Sequence, residues 1–402
     1  MWLHSHMGHL EKYDETLARD PMAAFGLVRE WMRTEWRELF AELRERRPVF
    51  ATPVLTVVTR FADVTEVLSR EEVFTVRAFG PRLDAALGGP FMLGRDATAM
   101  NWRDKGIMQF VLDPGDVAGV RELAGRLADE ALDAAAARGE IEVVHELFRP
   151  VALGVCAQYF GLPGPDPQTL SRWTRTIITD CFANYLGDPA VQAASVEAGA
   201  EMTAYLRDEL EARRAGRGPS GDVFARLVAS GLDEERVVVN MAGLPLGFVE
   251  SGPGAMVEAT EQLLLRPEVL ARAVTDDDFD RYVWEALRFN PFFKLLPRIC
   301  ERDYELAGTV IPAGTFVLAA PASAMFDAAV LDEPDEFRLD RPRHHQLFFG
   351  YGHHACLGVH PARAVICEAV RRLLLRRGVR VIEGVTRANG IFPDRFVLGL
   401  EA

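Results

Sequence analysis

One cysteine stands in a setting that suits metal chemistry. In Phe348-Phe349-Gly350-Tyr351-Gly352-His353-His354-Ala355-Cys356-Leu357-Gly358, small residues crowd Cys356, and an Arg/Ala-rich helical pattern starts directly after it. Glycines let a backbone approach a large flat cofactor closely. Loop N–H groups and the N-terminus of a following helix stabilise a negative sulfur. Cys-Leu-Gly alone would read as a free cysteine in a tight turn. The full spacing, Phe-x-x-Gly-x-x-x-Cys-x-Gly, favours a thiolate metal ligand. A second constellation lies upstream. Glu285-Ala286-Leu287-Arg288 sets a carboxylate and a guanidinium three apart on one helix face, where they can pair. Arg341, in Pro334-Asp335-Glu336-Phe337-Arg338-Leu339-Asp340-Arg341, supplies another guanidinium ahead of the cysteine loop. A Glu bridged by two Arg side chains would pin that loop to a core helix.

The chain that must position these groups has 402 residues, 49% hydrophobic and 26% charged, enough to bury a large core. Its net charge of −14 excludes nucleic acid or an anionic membrane as the main partner, since both need a basic face. The five cysteines are scattered, odd in number and without a C-x-x-C pair, which fits neither a disulfide framework nor a zinc site and points to a reducing cytoplasm. No secretory h-region opens the chain and no run of about 18 apolar residues offers a membrane anchor. His4, His6 and His9 read as a frayed terminus before a metal site.

Helical periodicity dominates. Phe25, Val28, Trp31, Met32, Trp36, Leu39, Phe40 and Leu43 form one apolar stripe over 22–47, ended by Pro48. Val54 to Val58 reads as a strand and 62–68 as a helix. The Gly/Pro-rich stretch 75–94 reads as a long loop of the kind that lines sites. Helices are expected over 101–111, 117–138, 147–160, 167–187, 190–214, 278–289 and 359–377. Short strands are expected near 140–144, 304–306, 310–311, 315–318, 379–382 and 396–400. The longest helical stretch, 234–265, is interrupted by Gly243, Pro245, Gly247, Gly252, Pro253 and Gly254, which should kink or open it. The expected fold is mainly α with a minor β part in a single large domain over 22–402, preceded by an extension over 1–21.

In this order and separation, the cysteine loop, the E-x-x-R helix and the Arg341 segment resemble the cytochrome P450 family, soluble bacterial type, from about residue 22 to the end. The resemblance implies haem b with Cys356 as the proximal thiolate on iron. It implies Phe349, Gly350, Gly352 and Gly358 around the sulfur, and Arg298 and His354 at haem propionates. Glu285, Arg288 and Arg341 would form a structural triad. The family's second propionate pair falls near Met100 to Lys105, where His is replaced by Met100 and Arg103 or Lys105 stands for the arginine. Glu250 and Ser251 align with the acid–alcohol pair that guides protons to bound oxygen. Phe248 stands where the family has glycine and is expected over the haem. Phe79, Phe91, Leu244, Gly247, Phe248, Phe292 and Phe293 would line an apolar pocket, with Arg82 and Lys294 able to address a substrate carboxylate.

Three functions follow as expectations. The first is a monooxygenase acting on an apolar small molecule with O2, supplied with electrons by a separate ferredoxin or flavoprotein reductase. The second, motivated by the departures at 247–251, is a peroxide-using peroxygenase or hydroperoxide isomerase. The third is a haem-binding protein without turnover.

Overall fold

The computed structural model describes residues 8–184, 186–387 and 391–401, so His4 and His6 lie outside the described residues. The chain forms two compact units: Met1–Ala78 with Phe293–Ala355, and Phe79–Phe292 with Cys356–Ala402.

The first unit is built on a five-stranded sheet in the order Val49–Ala51, Thr56–Val58, Phe316–Ala319, Leu296–Cys300 and Phe74–Thr75. Thr56–Val58 and Phe316–Ala319 run parallel and the other neighbours antiparallel. Side chains alternate faces along a strand, and the core divides accordingly. Val57 and Leu318 join the cluster of Phe25, Val28, Leu39 and Phe40, whereas Val58, Val317 and Ala319 join that of Val64, Val67 and Leu68. Helices thus cover both faces. The stripe expected over 22–47 is two helices, Pro21–Thr34 and Trp36–Arg46, parted at Glu35, whose φ of −134° leaves the helical region. The first has Pro21 in its opening turn, and the Asp20 side chain accepts from the Met22 and Ala23 N–H groups, which fixes its start. Within the expected extension over 1–21, His9–Leu17 is a helix with Leu10 and Tyr13 in this core, and the Tyr13 ring packs edge-on to Phe50. Leu296–Cys300 is a strand that the sequence reading missed, its Pro297 masking the β pattern.

The second unit is mainly helical. Helix Val359–Leu374 packs on Val117–Ala136, and Ser251–Leu264 packs on both Phe279–Phe289 and Val359–Leu374. A small antiparallel sheet of Glu140–Glu142, Arg395–Gly399 and Arg380–Thr386 flanks them. The stretch read as a long loop contains helix Gly80–Leu87, with Pro81 in its first turn and Gly88 closing it at φ +68°. The expected 234–265 helix is two, Glu234–Leu246 and Ser251–Leu264, parted by 247–250.

Candidate active site

The expected site residues are divided between the units at the peptide bond between Ala355 and Cys356. In the first unit the cysteine loop is shaped by two left-handed glycines. Gly350 has φ +76° and donates its N–H to the Leu347 carbonyl. Gly352 has φ +69°, and a Cβ there would lie 2.8 Å from the Leu68 carbonyl oxygen. The turn is therefore pressed against the end of helix Phe61–Ser69 at a point where only glycine fits. Phe349 is half-buried and its ring lies 5.4 Å from that of Phe348. His354 is half-buried at the end of the short turn Gly352–His354, edge-on to His353. Arg298 is 4% exposed on its strand and donates to the Pro297 carbonyl at 2.8 Å. Arg341 donates to the carbonyls of Asp332, Glu333 and Glu336, so it ties the acidic loop ahead of the cysteine together. Lys294 lies over the Trp36 ring at 5.6 Å.

In the second unit Cys356 is exposed while Cys156, Cys181, Cys300 and Cys367 are buried. Surrounding protein nevertheless desolvates its sulfur and pushes the thiol up from its ordinary value of 9.0, and a hydrogen bond from the Gly358 backbone partly offsets this. Helix Val359–Leu374 starts immediately after Gly358. Glu285 and Arg288 form a fully buried two-pronged pair, with Nε and Nη2 donating at 2.9 and 2.8 Å. Arg103 is half-exposed and paired to Asp104, whereas Lys105, its alternative, is buried.

The helix break follows from two prolines. Pro245 sits inside the last turn of helix Glu234–Leu246. The N–H groups of both Phe248 and Val249 converge on its carbonyl, tightening the chain into a three-residue turn. Pro253 brings no N–H to the turn that follows. The tightened turn rotates Phe248 inward, where it is 5% exposed and edge-on to Phe160 at 5.5 Å. Phe248 is thus packed into the interior of this unit. Ser251 Oγ donates to the Gly247 carbonyl at 2.7 Å. Glu250 is 2% exposed, and both its oxygens are engaged: Oε2 by Arg149 at 3.1 Å and Arg175 at 3.8 Å, Oε1 by the Ser171 hydroxyl at 3.3 Å.

The aromatic positions close in on the same helices. The tip of the Phe91 ring abuts Gly243, where an added Cβ would overlap it. An edge of the Phe292 ring abuts Gly254, leaving no space for a Cβ there, and its centroid lies 6.0 Å from that of Phe392. Phe79 packs on Phe182 at 5.2 Å. Leu244 is half-buried and Gly247 exposed, while Phe293 is half-buried in the first unit. Arg82 donates to the carbonyls of Asp180 and Asn184. The sequence reading missed Arg149, Ser171, Arg175 and Asp394. They lie 75 to 144 positions from Glu250 (75 = 250 − 175; 144 = 394 − 250), and no motif announces them.

The donor set fits an iron porphyrin. In the second unit the exposed Cys356 offers a soft thiolate of the kind that ligates haem iron, and in the first the buried Arg298 offers positive charge of the kind a carboxylate takes.

The cytochrome P450 family model matches residues 279–389. A steroid C26-monooxygenase of Mycolicibacterium smegmatis is 27% identical over 91% of both chains. The cyclomarin C epoxidase CymV of Salinispora arenicola is 29% identical over 80% of this chain and 84% of its own. Among solved structures, P450BioI bound to an acyl carrier protein superposes with a TM-score of 0.82 at 19% identity, covering 92% of this chain and all of that one. CalO2 superposes with a TM-score of 0.82 at 24% identity, covering 92% and 96%. The fold and the matches define an oxidoreductase of the haem-thiolate monooxygenase class. The family-model match, the curated relatives and the structural neighbours together support a cytochrome P450 family member. Among the described residues no helix is long and apolar enough to cross a membrane.

Proposed function

We propose that this chain hydroxylates or epoxidises an apolar small molecule, using O2 and electrons from a separate ferredoxin or flavoprotein reductase in the cytoplasm. Residues 22–402 act as one catalytic domain carrying haem b. Cys356 is the iron ligand, and Phe349, Gly350, Gly352 and Gly358 shape the sulfur's surroundings. Arg298 and His354 receive propionates, with Arg103 or Lys105 serving the second pair. Glu285, Arg288 and Arg341 form the supporting triad. The observation that carries this reading is the single exposed cysteine at a glycine-built turn, its sulfur accepting from Gly358.

A bound haem supplies oxygen-activating iron, and the thiolate pushes electron density onto it. The protein's share is positional. Phe79, Phe91, Leu244, Phe292 and Phe293 offer apolar surface that favours a water-poor substrate. Glu250 and Ser251 hold and move protons at the helix break. The names of relatives support a bulky apolar substrate and a role in secondary metabolism: one is a steroid monooxygenase, another a cyclomarin epoxidase, and a third a mycinamicin hydroxylase.

The deciding experiment supplies haem-loaded protein with NAD(P)H, a ferredoxin and its reductase, and O2 across a panel of steroids, macrolides and cyclic peptides. A spin-state shift followed by an oxygenated product is expected for at least one class. Silence across the panel, with hydrogen peroxide or a fatty-acid hydroperoxide consumed by the protein alone, would instead establish the peroxide-using reading.

A further inference from the structure

Helix Pro189–Arg214 of the second unit carries two apolar faces. One, with Ala198, Met202, Leu206 and Leu210, is buried. The other is a short stripe of Pro189, Ala193, Val196 and Ala200, at the i, i+4, i+7 and i+11 spacing of a face that packs. Its residues are exposed, Val196 by 44%. The stripe forms one wall of a groove of about 760 Å³, a size within the range of small-molecule sites. Pro81 and Ala85 of helix Gly80–Leu87 belong to the facing wall. Beside the groove the Ala86 carbonyl leaves no room for a Cβ at Gly199, so the two helices touch backbone to backbone.

Small apolar walls alone name no ligand. The head group is named by two charged residues that also line the groove, Arg82 and Asp180. Asp180 is 2% exposed. Its Oδ1 accepts from Asn184 Nδ2 at 2.9 Å, while no described residue donates to Oδ2. Arg82 Nη1 donates to the Asp180 and Asn184 carbonyls at 2.9 and 2.6 Å. Its Nε and Nη2 have no acceptor among the described residues. The guanidinium and the carboxylate themselves come only within 3.8 Å, Nη1 to Oδ1, beyond hydrogen-bond distance. Each therefore keeps capacity that the other does not use: an oxygen that accepts, and two nitrogens that donate. A head group that serves both must carry a donor and an acceptor side by side. An ammonium next to a carboxylate does so with matching charge, and the Nε–Nη2 edge of a guanidinium takes a carboxylate with two parallel bonds. Glu197, exposed on the same groove, gives two negative charges against one positive, which disfavours a simple anion.

We propose that this groove binds an apolar α-amino acid. Its carboxylate lies on Arg82 Nε and Nη2, its ammonium on Asp180 Oδ2, and its side chain along the stripe from Pro189 to Ala200. None of these residues is among the haem-binding, triad or substrate-pocket residues proposed above.

The test titrates the haem-loaded protein by calorimetry with ligands that share one alkyl chain: 2-aminodecanoate, decanoate, decylamine and decanol. The amino acid is expected to bind about tenfold or more tightly than each of the others, the worth of one charged hydrogen bond. Arg82→Gln should erase its advantage over decylamine, and Asp180→Asn its advantage over decanoate. Ala193→Phe fills the groove from an exposed position and should abolish this binding, while any spin-state shift that marks binding at iron persists. A photoreactive diazirine derivative of 2-aminodecanoate should label peptides covering 81–85 and 189–200. Decanoate or decylamine binding as tightly as the amino acid would overturn the head-group assignment and with it the proposal. No binding of 2-aminodecanoate, an unchanged affinity in Ala193→Phe, or labelling confined to other peptides would overturn the site itself, even if Arg82→Gln or Asp180→Asn failed to fold.

Discussion

The cysteine loop and the broken helix obtain their geometry from different distances along the chain. Around the loop the determinants are local. Gly350 and Gly352 supply left-handed turns within six residues of Cys356 (6 = 356 − 350), and Gly358 caps the sulfur two residues on. Around the broken helix the prolines that open it are local, but the groups that hold Glu250 come from Arg149, Ser171 and Arg175, with Asp394 paired to Arg175. A locally encoded site tolerates change elsewhere in the chain. A site assembled from distant residues makes its chemistry depend on every element that carries one of them.

The contrast can be broken first at the buried pair beneath it. Glu285→Ala leaves Arg288 buried without its two-pronged partner, and loss of one member of such a pair costs about 3–5 kcal/mol. Urea unfolding should show a destabilised protein that loads haem poorly, and an unchanged midpoint would deny the pair its structural role. Next comes Gly352→Ala, which meets the Leu68 carbonyl and adopts an unfavourable φ at a cost of about 1–3 kcal/mol. Its effect should appear as faster haem loss to an acceptor globin. Gly254→Ala makes the converse case. Its methyl would overlap the Phe292 ring, overpacking worth about 1–3 kcal/mol, and ligand-induced spin shifts should weaken while haem retention holds.

The smallest effect belongs to the acidic segment before the loop. Arg338 holds the Asp340 carboxyl down to about 2 from its ordinary 3.8. A carboxyl depressed in the folded state contributes stability above pH 3.8 that is lost as pH falls through about 2. Asp340 is exposed and Arg338 half-buried at the surface, so water and salt screen the pair. Asp340→Asn should flatten only that acid limb of the melting temperature; a change at neutral pH would mean the segment does more than pair charges.

The same contrast explains what the sequence made legible. Residue types and spacing sufficed to single out Cys356, Glu285 and Arg288, because helix periodicity and glycine turns act over a few residues. The opening near Pro245 and Pro253 was equally readable, since a missing N–H is a property of the residue itself. The direction of Phe248 was not, because it depends on how two N–H groups share the Pro245 carbonyl. Helix Gly80–Leu87 was hidden by its flanking glycines and Pro81, which read as a loop although Pro81 and Gly88 mark its start and end. The hold on Glu250 could not be read at all, because the order of residues in a chain does not say which distant helices will meet.

The most direct test of the central claim is the carbon monoxide difference spectrum of the reduced, haem-loaded protein, taken beside Cys356→Ser. Wild type should give the long-wavelength Soret band of thiolate-ligated haem, and the variant should lose it while the buried Cys156, Cys181, Cys300 and Cys367 remain in place. The same band in Cys356→Ser would assign the iron to another ligand and contradict the site described here.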